Sequence, residues 1–156
     1  MNIQLINFLE KEESLQVETL SWRNAPHVAR YFQIQAIDLA THLQWLQKLK
    51  EIPPTTVAFF IEVNQEAVGV TYFHSIDEDT QSADWGIYLY DEATRGKGIG
   101  KEVLRLSLAY AKTTLHLQRV YLEVLSDNLV AKHLYEQVGF RLLEQKGFVL
   151  RYQKDL

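Results

Sequence analysis

Arg95-Gly96-Lys97-Gly98-Ile99-Gly100 stands where an apolar, strand-like run ends and a long amphipathic helical pattern begins. Glycines at 96, 98 and 100 remove Cβ atoms where a loop must tighten and turn several backbone N–H groups toward one anion. The helix that opens here adds its positive dipole end and its unpaired donors. Arg95, Lys97 and Lys101 surround the turn with mobile positive charge. The junction therefore reads as a seat for linked phosphates, against the blander reading of a helix-entry loop. No G-K-S or G-K-T ends the run, and the G-x-G-x-x-G order is absent, so neither the P-loop nor the dinucleotide fingerprint applies.

Upstream of the loop the sequence changes to a period of two. Thr56 to Val63 and Ala67 to His74 are β-branched and aromatic, with Asn64 to Glu66 as a short turn. Asp77 to Gln81 is a second polar turn, and Ser82 to Tyr90 is a third strand leading into the glycines. Downstream, Ile99, Val103, Leu106, Leu108, Tyr110 and Ala111 line a helix. Gln118 to Leu125 is another strand, and Asp127-Asn128 offers a cap for a helix over Leu129 to Val138 that Gly139 ends. Arg141 to Glu144 and Phe148 to Gln153 read as a last hairpin around Lys146-Gly147.

The N-terminal third is less regular. Ile3 to Phe8 suits a strand, and Ser14 to Asn24 a short helix or turn leading into Trp22-Arg23-Asn24. Thr41 is a candidate N-cap for a helix carrying Leu43, Trp45, Leu46, Leu49 and Ile52, stopped by Pro53-Pro54. No repeat or linker divides the chain. The expectation is one α+β domain over residues 1–156, with a mixed sheet of six or seven strands and about four helices.

Composition narrows the chemistry. A chain of 156 residues holds one core of ordinary size. There is no cysteine, which removes disulfides, thiolate metal sites and a cysteine nucleophile together. A net charge of -4 argues against a general nucleic-acid binder. The histidines at 27, 42, 74, 116 and 133 show no ligand spacing, so no metal site is expected. No run approaches the length of a membrane span. The first ten residues lack the pattern of an export signal, which places the chain in the cytoplasm.

Three pieces recur in order: the loop Arg95 to Gly100, the strand Val120-Tyr121-Leu122-Glu123-Val124, and Asn128-x-x-Ala131-x-x-x-Tyr135-Glu136-x-x-Gly139-Phe140. Together they resemble the GCN5-related N-acetyltransferases (GNAT) over roughly residues 55 to 145. The resemblance implies a GNAT fold whose splayed central strands hold acetyl-CoA. Its pyrophosphate would lie on Arg95, Gly96, Lys97, Gly98, Ile99, Gly100 and Lys101. The pantetheine arm would pair with backbone at Leu89 and Tyr90 and meet the Asn128 side chain. Tyr135 matches the family's frequent general acid, a phenol that gives its proton to the departing thiolate. The alternative is a core aromatic beside Leu134 and Val138. Glu123 is a candidate base for the acceptor amine, or else a solvated strand residue paired to a basic neighbour. With no cysteine to carry an acetyl group, direct transfer in a ternary complex is preferred over an acetyl-enzyme.

The N-terminal third should set the acceptor. Trp22-Arg23-Asn24-x-Pro26 followed by Thr41-His42-Leu43-x-x-Leu46-x-x-Leu49 is similar to the branch that acetylates the 4-amino group of a UDP-linked amino-dideoxy sugar. That resemblance implies that Arg23 and His42 approach a nucleotide diphosphate and that Tyr88 stacks on uracil or sugar. Each also has a plainer reading as a helix brace, a surface histidine or a sheet aromatic. One departure stands out: Thr71-Tyr72-Phe73-His74-Ser75 carries no lysine where some of that branch place one. The nearest alternative acceptors are polyamines or ribosomal-protein N-termini, and a non-catalytic acetyl-CoA-binding module is a further one. The resemblance also admits a homodimer, although no seam in the sequence marks one.

Overall fold

The computed structural model describes every residue from Met1 to Leu156. Alternation of apolar side chains builds its sheet. Strands β1 (Ile3–Asn7), β2 (Val57–Val63), β3 (Glu66–Asp77), β4 (Ser82–Leu89), β5 (Arg119–Leu125), β6 (Arg141–Lys146) and β7 (Val149–Asp155) lie in the order β1-β2-β3-β4-β5-β7-β6. All neighbours are antiparallel except β4 and β5. A parallel pair needs a crossover, and helix α4 (Ile99–Thr113) supplies it.

Each face of the sheet has its own core. Phe73 and Trp85 are register partners on one face and join Val120, Leu122 and Tyr152 beneath α4 and α5 (Leu129–Val138). Phe60, Val70 and Phe8 lie on the other face beneath α1 (Glu13–Asn24) and α3 (Leu39–Lys48), which contribute Trp22 and Leu46. The Phe8 and Phe60 rings stack with centroids 4.0 Å apart. A four-residue helix α2 (Pro26–Ala29), begun by a proline at its first turn, follows α1.

One irregularity positions everything that follows. β4 and β5 pair only at Ser82–Arg119, Ala83–Val120 and Asp84–Tyr121. Beyond Asp84 the two strands diverge, although β4 stays paired to β3 as far as Leu89 and β5 to β7 as far as Leu125. The facing backbone edges of β4 and β5 are thereby left without ladder partners inside the sheet.

The sequence expectations meet this architecture with a few differences. There are seven strands and five helices rather than about four. α3 starts at Leu39, because Asp38 and not Thr41 caps it: the Asp38 carboxylate accepts from the Thr41 N–H at 2.8 Å. α3 ends at Lys48, and Ile52 lies outside it, 94% exposed. On α4 the buried stripe is Ile99, Val103, Leu104, Ser107 and Ala111, one step round from the expected Leu106. β4 stops at Leu89 and not Tyr90.

Candidate active site

The loop after β4 is shaped by two left-handed residues, Gly96 at φ +75° and Gly98 at φ +77°. Only glycine takes that backbone without strain. A Cβ on either would meet nothing in the chain, so the space beside them is open. The amide N–H groups from Gly96 through Lys101 donate no hydrogen bond within the chain, the first helical bond being Glu102 N–H to Gly98 O. No side chain caps α4. A row of free donors at a helix N-terminus is an anion seat. Arg95, Gly96, Gly98, Ile99, Gly100 and Lys101 all line a cleft of about 950 Å³ that runs on between β4 and β5. Lys97, expected beside the pyrophosphate, is exposed and does not line that cleft.

Tyr135, on α5, lines the same cleft with the residue only 8% exposed. Its ring meets Trp85 edge to face at 6.0 Å and Phe140 at 6.1 Å. Trp85 Nε1 is the one buried side-chain polar atom without a partner. The Tyr135 hydroxyl makes no hydrogen bond in the chain either, yet is not so enclosed, so it opens into the cleft. Burial, reinforced by the neighbouring Tyr72 phenol, holds the Tyr135 phenol neutral well above its ordinary range. It is thus a proton donor at any working pH. Asn128 also faces the cleft and caps α5 through Oδ1, which accepts from Ala131 N–H at 3.4 Å.

The opposite wall belongs to the other face of the sheet. Asp84 and Tyr121 are register partners there, as are Glu123 and Arg151. Arg151 donates to both oxygens of Asp84, at 2.7 and 3.1 Å, and its Nη1 lies 3.6 Å from Glu123 Oε2. Tyr72 and Tyr88 add phenols. Burial pushes Tyr72 up to about 12 and Tyr88 higher still, with Arg23 opposing both. Gly86 is required beneath Tyr72, since a Cβ there would sit 2.5 Å from the ring. The loop between α2 and α3 brings Tyr31, Phe32 and Gln33 over this wall, and Gln33 Nε2 donates to Glu123 Oε1 at 2.9 Å.

Three sequence-derived residues go elsewhere. His42 is 3% exposed under α1, with Nε2 near Thr19 Oγ1 at 3.2 Å and Gln16 O at 3.1 Å, and it stacks on Trp45. It does not line the cleft, and burial lowers its pKa. Arg23 turns to the 31–37 loop, donating to Gln35 O at 2.9 Å and Ile34 O at 2.6 Å, with its guanidinium 3.6 Å over the Phe32 ring. The Tyr90 ring stacks on Trp22 at 5.4 Å, its N–H is spent on Val68 O, and its carbonyl is 2.7 Å from His27 Nε2. Leu89, Tyr88, Glu123, Tyr135 and Asn128 do converge on the cleft. Phe32, Gln33, Tyr72, Trp85 and Arg151 were not singled out from sequence. No signal in the sequence marked them; the Trp22-Arg23-Asn24 cluster, singled out for the acceptor, holds only the loop of Phe32 and Gln33.

Comparison with known proteins agrees with this geometry. A spermidine N(1)-acetyltransferase of Vibrio cholerae is 34% identical over 92 residues, which are 56% of this chain and 49% of that protein, so the chain spans about half that relative's length. The crystal structure of the spermidine N-acetyltransferase from Vibrio cholerae with CoA and spermine superposes at a TM-score of 0.83, 21% identity, covering 98% of this chain and 95% of that one. The Campylobacter jejuni N-acetyltransferase PseH in complex with acetyl coenzyme A superposes at 0.74 with 23% identity, covering 99% of both chains. The acetyltransferase (GNAT) domain family matches residues 8–141. The glycine loop, the splayed strands and that match make this chain a member of the GNAT acetyltransferase family.

Proposed function

We propose that this chain, as one transferase unit over residues 1–156, moves an acetyl group from acetyl-CoA to a primary amine within a ternary complex. The observation that carries the reading is the row of unpartnered amides from Gly96 to Lys101, opening onto the gap between β4 and β5. The residues fit the group: linked phosphates take the free N–H donors and the Arg95 and Lys101 charges, and the open space beside Gly96 and Gly98 admits them. The unpaired edges of the two strands suit the amide-bearing pantetheine arm. Asn128 and Leu89 stand along that path. Acetyl-CoA would supply an activated acyl carbon as its thioester.

Glu123 accepts the proton of the attacking amine, directly or through water, and Tyr135 gives its proton to the sulfur as the C–S bond breaks. A phenol held neutral by burial keeps that proton until a thiolate forms beside it.

For the acceptor we favour the amino group of a nucleotide-linked amino sugar. Its support is the wall opposite the phosphate loop, where Tyr31, Phe32, Tyr72 and Tyr88 offer flat apolar faces and the three tyrosines add hydroxyls. Of the three carboxylates lining the cleft, Asp84 is engaged by Arg151 and Glu123 by Gln33 and Arg151, which leaves Asp127 as the one free negative charge. A polycation would need free negative charge along its length. Diphosphate contacts from Arg23 and His42 form no part of this proposal. A polyamine acceptor is the second reading, favoured by the spermidine acetyltransferase relative. A panel following CoA release from acetyl-CoA separates them. A UDP-4-amino-sugar is expected to be acetylated and spermine and spermidine not; the opposite pattern overturns the sugar assignment.

A further inference from the structure

Gln33 is an exposed residue of an exposed loop, yet it is held with unusual care. Arg23 donates to the carbonyls of Ile34 and Gln35, and Asn24 exchanges two hydrogen bonds with Ile37, donating to its carbonyl at 2.8 Å and accepting from its N–H at 3.0 Å. Ile34 is no anchor, being 69% exposed, and the apolar contact of the loop is the Phe32 ring, between the Arg23 guanidinium at 3.6 Å and the Tyr88 ring at 6.1 Å. The clamp sets the 31–37 loop so that Gln33 Nε2 reaches Glu123 Oε1 at 2.9 Å, a contact between residues 90 apart in the chain. Arg151 stands 3.6 Å from the other oxygen. Both oxygens of Glu123 thus have partners within the chain itself.

A carboxylate placed to deprotonate an amine beside a thioester deprotonates water equally well. Water then adds its oxygen to the thioester carbon and gives its proton to the carboxylate. The C–S bond breaks, and the sulfur leaves with a proton from Tyr135; of the two protons of the water, one restores the phenol and the other goes to solvent, leaving acetate and free CoA thiol. We propose that Gln33 is the residue that prevents this. It is a specificity-determining latch that occupies Glu123 until an acceptor amine takes its place, with Arg23 and Asn24 as its positioning residues. The inference rests on the transferase reading above and on Glu123 as its base.

The test needs no acceptor. Acetyl-CoA affinity is measured by calorimetry, and acceptor-free release of CoA is followed with a thiol reagent, in the wild type, Q33A, R23A, Q33A/R23A and Q33A/E123Q. Acetyl-CoA affinity is expected to stay within twofold throughout. Hydrolysis should rise at least fivefold in Q33A and in R23A, by no more than twofold further in Q33A/R23A, and fall to the wild-type rate or below it in Q33A/E123Q. Unchanged or lower hydrolysis in Q33A with acetyl-CoA bound overturns the latch, as does a rise that persists in Q33A/E123Q. Failure of the wild type to bind acetyl-CoA would instead defeat the transferase reading on which the latch depends.

Discussion

Trp85 on β4 and Tyr135 on α5 meet edge to face, ring planes 89° apart and centroids at 6.0 Å, across the gap that β4 and β5 leave between them. The contact fixes the phenol ring from the side while its hydroxyl opens to the cleft. Removing that hydroxyl alone should therefore test chemistry without disturbing packing. Tyr135→Phe is expected to lower kcat at least tenfold while acetyl-CoA affinity changes less than twofold. Unchanged turnover would remove Tyr135 as the acid. Because burial raises its pKa, Tyr135 should also impose no loss of activity near pH 10, where an ordinary phenol ionises.

The raised phenols predict an alkaline weakness. Tyr72 ionises at about 12 in the fold, against an ordinary value near 10 in the unfolded chain. A raised folded pKa leaves stability intact below pH 10 and erodes it as pH climbs from 10 toward 12, since only the unfolded chain releases the proton there. Urea midpoints should be flat between pH 8 and 9.5 and fall above 10. Tyr72→Phe should make that fall shallower, and an equally steep fall would contradict the assignment.

Gly98 separates backbone strain from ligand repulsion. Gly98→Ala keeps the space open and adds only left-handed strain, about 1 kcal/mol. Gly98→Asp adds a negative charge beside the proposed phosphates. Calorimetry should show modest weakening of acetyl-CoA binding for the alanine variant and no measurable binding for the aspartate. Equal effects would mean that the loop acts through its conformation alone.

Helix α5 and the glycine loop were legible in the sequence because their determinants are local. Asn128 caps α5, Gly139 ends it at φ +104°, and its bounds match the expectation residue for residue. The roles of Arg23, His42 and Tyr90 were not, because their partners are distant. His42 is buried against Thr19 and Gln16, and Arg23 serves carbonyls of a loop without periodicity. Tyr90 has its carbonyl 2.7 Å from a histidine on α2. Gln33 carried no signal at all, since a polar residue in a loop reads as solvent-facing until β5 is placed beside it.

The root of the splay offers a stability test. Arg151 bridges Asp84 on β4 and Glu123 on β5, and the Asp84 side chain is only 17% exposed. Arg151→Ala leaves that carboxylate unpaired where the two strands part, a cost of about 2 kcal/mol. Thermal unfolding should fall by roughly 5 °C. Asp84→Asn combined with Arg151→Ala should recover part of the loss, and no recovery would mean that the ion pair is not its source.

The crystal structure of the protein with CoA tests the central claim most directly. The account predicts phosphate oxygens within hydrogen-bond distance of amides between Gly96 and Lys101, the pantetheine arm between β4 and β5, and the sulfur beside the Tyr135 hydroxyl. CoA bound at another surface, or absent at saturating concentration, would contradict it.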